Sequence, residues 1–160
     1  MTTTNEPAVI DDEAFQVTRT IRIAAPRERV WAALTEEDLI ARWFPQRASL
    51  PDAHAGTEGT FTFDGYGDIP VRVDESEEPH VFAYTWGTPG EPLAPDNSTQ
   101  VRFTLAADGD ATVLTVVETG FERLADPSGA MRGNREGWTS ELDKLVAFAE
   151  AGVAAGSPTS

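Results

Sequence analysis

Between Gly56 and Thr119 the chain breaks into five short runs rich in Val, Phe, Thr, Ile and Tyr, and no other feature restricts its fold as much. The runs are Gly59 to Asp64, Ile69 to Glu75, Val81 to Trp86, Thr99 to Ala106 and Thr112 to Glu118. Asp64-Gly65 and Asp108-Gly109-Asp110 stand between runs, where a tight hairpin needs residues that accept positive φ. A meander of antiparallel strands is therefore expected. Pro89, Pro92 and Pro95 mark Gly87 to Ser98 as a long loop at the rim. A sixth strand is expected earlier, because Phe15, Val17, Ile21 and Ile23 alternate with Gln16, Thr18, Thr20 and Arg22.

Helical signals flank the strands. Pro26 suits the first position of a helix, where its missing N–H is no loss, and Val30, Ala33 and Leu34 share a face behind it. Thr35 and Asp38 have capping-box spacing, so a second short helix is expected from Glu36 to Phe44, stopped by Pro45. After Gly120 the period becomes helical, with Trp138, Leu142, Leu145 and Ala149 on one stripe. Gly129, Gly133 and Gly137 would each cost a helix about 1 kcal/mol, so a continuous helix is expected only from Asn134, with Gly152 as its stop. Residues 1–14 and 152–160 read as flexible tails, the first of them acidic, around a domain at 15–151. The sum is an α+β chain of about six strands, with two short helices after strand 1 and a long C-terminal helix.

Composition narrows the function classes. The 160 residues hold 27 acidic against 12 basic side chains, a net charge of −15 that repels nucleic-acid backbones and anionic lipid alike, so neither nucleic acid nor membrane is an expected partner. There is no cysteine, which removes disulfides, thiolate catalysis and Cys-ligated metal. The start of the chain has neither a basic nor an apolar segment of the kind a secretory leader carries, and a cytoplasmic location is the expectation.

The segment Ile23-Ala24-Ala25-Pro26-Arg27-Glu28-Arg29-Val30-Trp31-Ala32-Ala33-Leu34-Thr35, followed by Leu39-Ile40-Ala41-Arg42-Trp43-Phe44, resembles the opening of the START-like (SRPBCC) superfamily. With Gly137-Trp138, Leu142 and Leu145 near the end, it is similar to the branch named for the activator of the ninety-kilodalton heat-shock-protein ATPase. The resemblance spans about Phe15 to Ala151 and implies a helix-grip fold, in which a curved sheet wraps the last helix and leaves a cavity between them. Members of that superfamily include carriers of hydrophobic ligands, polyketide aromatases and cyclases, and chaperone-associated proteins, so the fold alone does not fix the activity.

On that reading, the cavity candidates on the sheet and the short helices are Trp43, Phe44, Phe61, Phe63, Trp86 and Phe103. Trp138 and Leu142 face them from the helix, and Trp43 and Trp86 are placed nearest the rim. Each has the alternative of a packed core residue, because the period that lines a cavity also fills a core. Tyr84 shares a strand face with Phe82 and Trp86, so its hydroxyl is either a polar handle in the pocket or a buried group bonded to backbone. Tyr66 is the other phenol. Glu118 and Glu141 are read as surface carboxylates, with a desolvated general acid as the alternative, and Arg42, Arg102 and Arg135 as groups able to pair with a ligand carboxylate or with those acids. His54 and His80 have no ligand-spaced neighbour, so no metal and no cofactor is expected. Ser49 and Ser98 lie in no Gly-x-Ser-x-Gly elbow. Three functions remain: a binding module for a small hydrophobic or amphipathic molecule, an aromatase/cyclase-like or hydrolase-like enzyme, and a chaperone-partner domain.

Overall fold

A computed structural model of the protein describes residues 5–156, with side chains up to 152. Its strands are β1 (Val9–Asp11), β2 (Gln16–Ile23), β3 (Arg47–Ser49), β4 (Glu58–Phe63), β5 (Gly67–Glu77), β6 (Val81–Trp86), β7 (Thr99–Asp108) and β8 (Ala111–Thr119). The helices are α1 (Arg27–Thr35), α2 (Glu37–Ile40) and α3 (Pro127–Gly156). The strands form one antiparallel sheet in the order β1-β2-β8-β7-β6-β5-β4-β3. β2 closes the meander by pairing with β8, Gln16 opposite Thr119 and Ile23 opposite Thr112. This is the α+β, helix-grip arrangement: α3 packs along the inner face of the sheet, with α1 and α2 at one end. No helix among the described residues is long and apolar enough to cross a membrane.

Alternation decides which side chains reach the core. In β2, Val17, Arg19, Ile21 and Ile23 point inward and are buried; in β8, Thr112, Leu114, Val116 and Glu118 do the same. Two charged residues, Arg19 and Glu118, therefore occupy inward positions on adjoining strands.

The structure corrects four sequence expectations. First, the sheet has eight strands, because the three-residue β1 and β3 pair at its two edges. β1 lies inside the segment expected as a free tail. Ala8 is buried, its N–H donates to Thr139 Oγ1 at 3.0 Å, and its carbonyl accepts from Arg135 Nε at 3.0 Å. Residues 1–4 lie outside the described part.

Second, α2 is one turn, and the chain from Ala41 to Phe44 continues as turns. Thr35 does not cap it: its hydroxyl donates backward to Trp31 O at 2.8 Å.

Third, α3 begins at Pro127, not at Asn134. Asp126 accepts the Gly129 N–H at 3.1 Å and Pro127 follows it, an N-terminal signal that outweighs the glycines. Burial of Met131, Trp138, Leu142 and Leu145 contributes about 1.5–3 kcal/mol each, more than the three glycines cost.

Fourth, α3 runs past Gly152 to Gly156. Gly152 leaves room for the Arg29 guanidinium, into which a Cβ would collide, and which donates to Ala149 O at 2.8 Å and Phe148 O at 3.3 Å. Residues 157–160 lie outside the described part.

Candidate functional site

Where β4, β5 and β6 curl away from α3, a cleft of about 520 Å³ opens between sheet and helix. Gly133, Asn134, Gly137, Trp138 and Glu141 face it from α3, spaced as one helical stripe. Phe44, Phe63, Ile69 and Trp86 form the opposite wall, with Tyr66 and Pro89 at the mouth. A Cβ added at Gly133 or Gly137 would meet nothing within 4 Å, so the missing side chains are what keep the helix side open. The rings pack closely beneath: Phe44 lies 5.2 Å from Phe63, 5.6 Å from Trp86 and 5.4 Å from Trp138, centroid to centroid. A smaller hollow of about 270 Å³ adjoins, sharing Ile69, Trp86, Pro89 and Asn134 and running under the proline-rich loop.

A buried carboxylate ties these walls together. Glu118 is fully buried, and its oxygens accept from Trp138 Nε1 (2.8 Å), Trp86 Nε1 (3.0 Å), Thr99 Oγ1 (2.5 Å) and Asn134 Nδ2 (2.9 Å to each oxygen). Among the described residues four donors and no cation surround it, a set suited to an acceptor-only group. Through Glu118 one residue of β8 holds Trp86 on β6, Thr99 on β7 and both Asn134 and Trp138 on α3.

Tyr84 lies two strands from Glu118, since Glu118 on β8 pairs with Val101 on β7 and Val101 with Tyr84 on β6. Its hydroxyl is buried and has no hydrogen-bond partner among the described residues, so neither sequence reading of it holds. Burial first, and the charge of Glu118 second, push its phenol well above the ordinary value of 10.0. An unfolded chain releases this proton near pH 10 while the native one keeps it, so stability is lost as pH rises through 10 and above. Tyr84→Phe is expected to add about 1 kcal/mol at neutral pH, by removing the unpaired hydroxyl. It should also flatten the alkaline decline. Urea melts on both sides of pH 10 check this, and an unchanged alkaline slope refutes it.

The other candidate residues divide by depth. Phe44, Phe63, Trp86 and Trp138 line the cleft, while Phe61, Tyr84, Phe103 and Leu142 are buried below it as core. Trp43, expected at the rim, is buried behind Phe44, stacked on it at 5.0 Å, with its indole N–H donated to Ala33 O at 2.8 Å. Arg42 lies over the Phe148 ring, and Arg102 pairs with Glu75 at 3.0 Å away from the cleft. That pairing lowers Glu75 and raises Arg102 from their ordinary pKa values. His54 contacts Asp52, and His80 contacts Arg27. Among the described residues no three His, Asp or Glu side chains are grouped to hold a metal ion.

The family model described as activator of Hsp90 ATPase homolog 1-like protein matches residues 24–150. The chain belongs to this family. Among solved structures, protein MLL2253 of Mesorhizobium loti is 25% identical over 84% of this chain and 97% of its own, with a TM-score of 0.72. The Aha1 dimer of Colwellia psychrerythraea is 21% identical over 86% of this chain and 97% of its own, TM-score 0.70. DynU16, of the dynemicin biosynthetic locus, is 24% identical over 86% of this chain, TM-score 0.72, and this chain covers 48% of DynU16. No curated protein is significantly similar in sequence.

In this Hsp90-activator-like chain the residues that shape the cleft are partly ones that sequence reasoning passed over. Gly133 and Gly137 stand four apart, as residues on one helix face do, and Asn134 is their neighbour. Glu118 continues the inward parity of Leu114 and Val116, a signal against the surface reading it received.

Proposed function

We propose that this member of the family holds a small apolar or amphipathic molecule in the cleft between α3 and the sheet. The observation that carries the reading is the pair of glycines inside α3. Each costs the helix about 1 kcal/mol relative to alanine, and both face empty space opposite Phe63 and Trp86. A helix selected for stability alone would fill those positions. The volume and the mostly apolar walls are those of a small-molecule site.

The enzymatic alternative loses Tyr84 and Glu118, which lie beneath the cleft wall without lining it, and keeps of its named acids only Glu141, whose carboxylate is paired with Lys144. No observation in the chain favours a chaperone-partner role over the cleft.

Gly137→Leu tests the reading. The leucine side chain enters the cleft and improves helix propensity, so stability is expected to rise by about 1 kcal/mol while affinity for a neutral probe such as N-phenylnaphthylamine falls at least about tenfold. On the parent protein, the probe at about 100 times its dissociation constant should add roughly 2.7 kcal/mol to the melt. Equal binding by parent and variant, or no binding by the parent, sinks the proposal.

A further inference from the structure

Resting on that reading of the cleft, the geometry points to its ligand class: an aromatic molecule that carries an amine or another hydrogen-bond donor, with carboxylates, phosphates and sulfates excluded. The argument comes from where the polar hydrogens are. Trp86, Trp138 and Asn134 line the cleft, yet both indole N–H groups and one N–H of the Asn134 amide are turned onto Glu118. The walls thus offer a ligand ring faces and hydrocarbon.

The adjoining hollow repeats the pattern. Thr88 Oγ1 donates to Asn97 O at 3.1 Å, Asn97 Nδ2 to Pro92 O at 3.0 Å, and Ser98 Oγ to Ala94 O at 2.7 Å. Thr99 Oγ1 donates to Glu118. Across both hollows two side-chain donors are not committed to a protein acceptor among the described residues: the Tyr66 hydroxyl, at the exposed mouth, and the second N–H of the Asn134 amide, since the two oxygens of one carboxylate cannot align both.

Acceptors, in contrast, remain. Because the amide nitrogen of Asn134 must face the Glu118 carboxylate, its Oδ1 is directed away from it and forms no hydrogen bond among the described residues. Glu141 brings a carboxylate to the lining, its buried Oε2 paired with Lys144 Nζ at 2.5 Å. Among the described residues no Arg, Lys or His lines either hollow. A ligand anion would find no cation in the lining, since the nearby Lys144 ammonium is paired with Glu141, and only two uncommitted donors, so most of its own acceptors would be left desolvated. A protonated amine meets carboxylate, amide oxygen and the faces of Phe44, Phe63, Trp86 and Trp138, which attract cations by their ring quadrupoles.

Three probes of one shape test the inference: aminomethylanthracene, hydroxymethylanthracene and anthracene carboxylate, titrated against the full chain near neutral pH and followed by quenching of tryptophan fluorescence. The amine is expected to bind at least about tenfold tighter than the carboxylate, with the alcohol between them. The preference should persist from about 0.05 M to about 0.5 M NaCl, where charges more than several ångströms away are screened. It should narrow in Glu141→Gln. A carboxylate that binds as tightly as the amine overturns the ligand class while leaving the cleft as a binding site. A preference that vanishes at high salt also overturns it, because the chain's net charge then explains the difference. Failure of all three probes to bind overturns the binding reading itself.

Discussion

Glu118→Leu is expected to lower the unfolding free energy by about 3–5 kcal/mol, a fall in Tm of roughly 10 °C for a chain of this size. The leucine fills a similar volume, so a cavity is not the cause. The loss comes from donors left behind: Trp138 is 2% exposed and Thr99 5%, and neither can turn to water once the carboxylate is gone. Each stranded donor costs about 1–3 kcal/mol. Trp86 and Asn134 are half-buried and recover part of their loss from solvent. Removing a buried anion also relieves its desolvation, which holds the net effect below the sum of the bonds. Glu118→Gln keeps one acceptor oxygen but sets an N–H₂ against donors, so an intermediate loss is expected. The tryptophan near-UV circular dichroism should collapse in the leucine variant, because Glu118 fixes both indoles that face the cleft. If both variants melt within about 1 kcal/mol of the parent, Glu118 does not tie the sheet to the helix.

The strands were legible because burial on one face imposes period two, and the five central runs and the strand from Phe15 are all present with ends shifted by a few residues. β1 and β3 were not legible. A three-residue edge strand is too short to show a period, and its partner supplies the pairing. The start of α3 was hidden by counting glycine penalties without the side chains buried between them. Those penalties are near 1 kcal/mol, and burial of one Met131 offsets more than that.

The site divides the same way. Aromatic residues at inward positions were found, but periodicity does not distinguish a wall from a core, and Trp43 shows why. Its place just ahead of Phe44-Pro45 suggested the rim, whereas its N–H reaches back to Ala33 O and seats the ring behind Phe44. The polar members were legible in principle. Arg19 and Glu118 each continue an inward alternation, but Arg19 was passed over and Glu118 read as a surface group because charge was weighed before parity.

Arg19→Met is the second change with a large expected effect, a loss of about 3 kcal/mol. Methionine keeps the apolar stem and removes the guanidinium, which is buried on the inner face of β2. That group donates to Glu6 O at 2.8 Å, Thr139 O at 2.9 Å, Trp138 O at 3.3 Å and Asp143 Oδ1 at 2.7 Å. It therefore clamps three pieces: the strand that carries it, the helix that forms one wall of the cleft, and the segment leading into β1. The Asp143 side chain is 61% exposed, so the ion pair itself is a minor part, worth about 0–1 kcal/mol. Asp143→Asn should accordingly cost little. Comparable losses in the two variants would assign the clamp to the ion pair and refute the carbonyl bonds as its source. In Arg19→Met the Ala8 amide, bonded to Thr139 Oγ1, should exchange with solvent faster than the central strands, and proteases should cut before Phe15 under conditions that leave the parent whole. The same helix turn that Arg19 grips carries Trp138, so slack there also reaches the cleft. Probe affinity is expected to fall with Arg19→Met and to hold with Asp143→Asn.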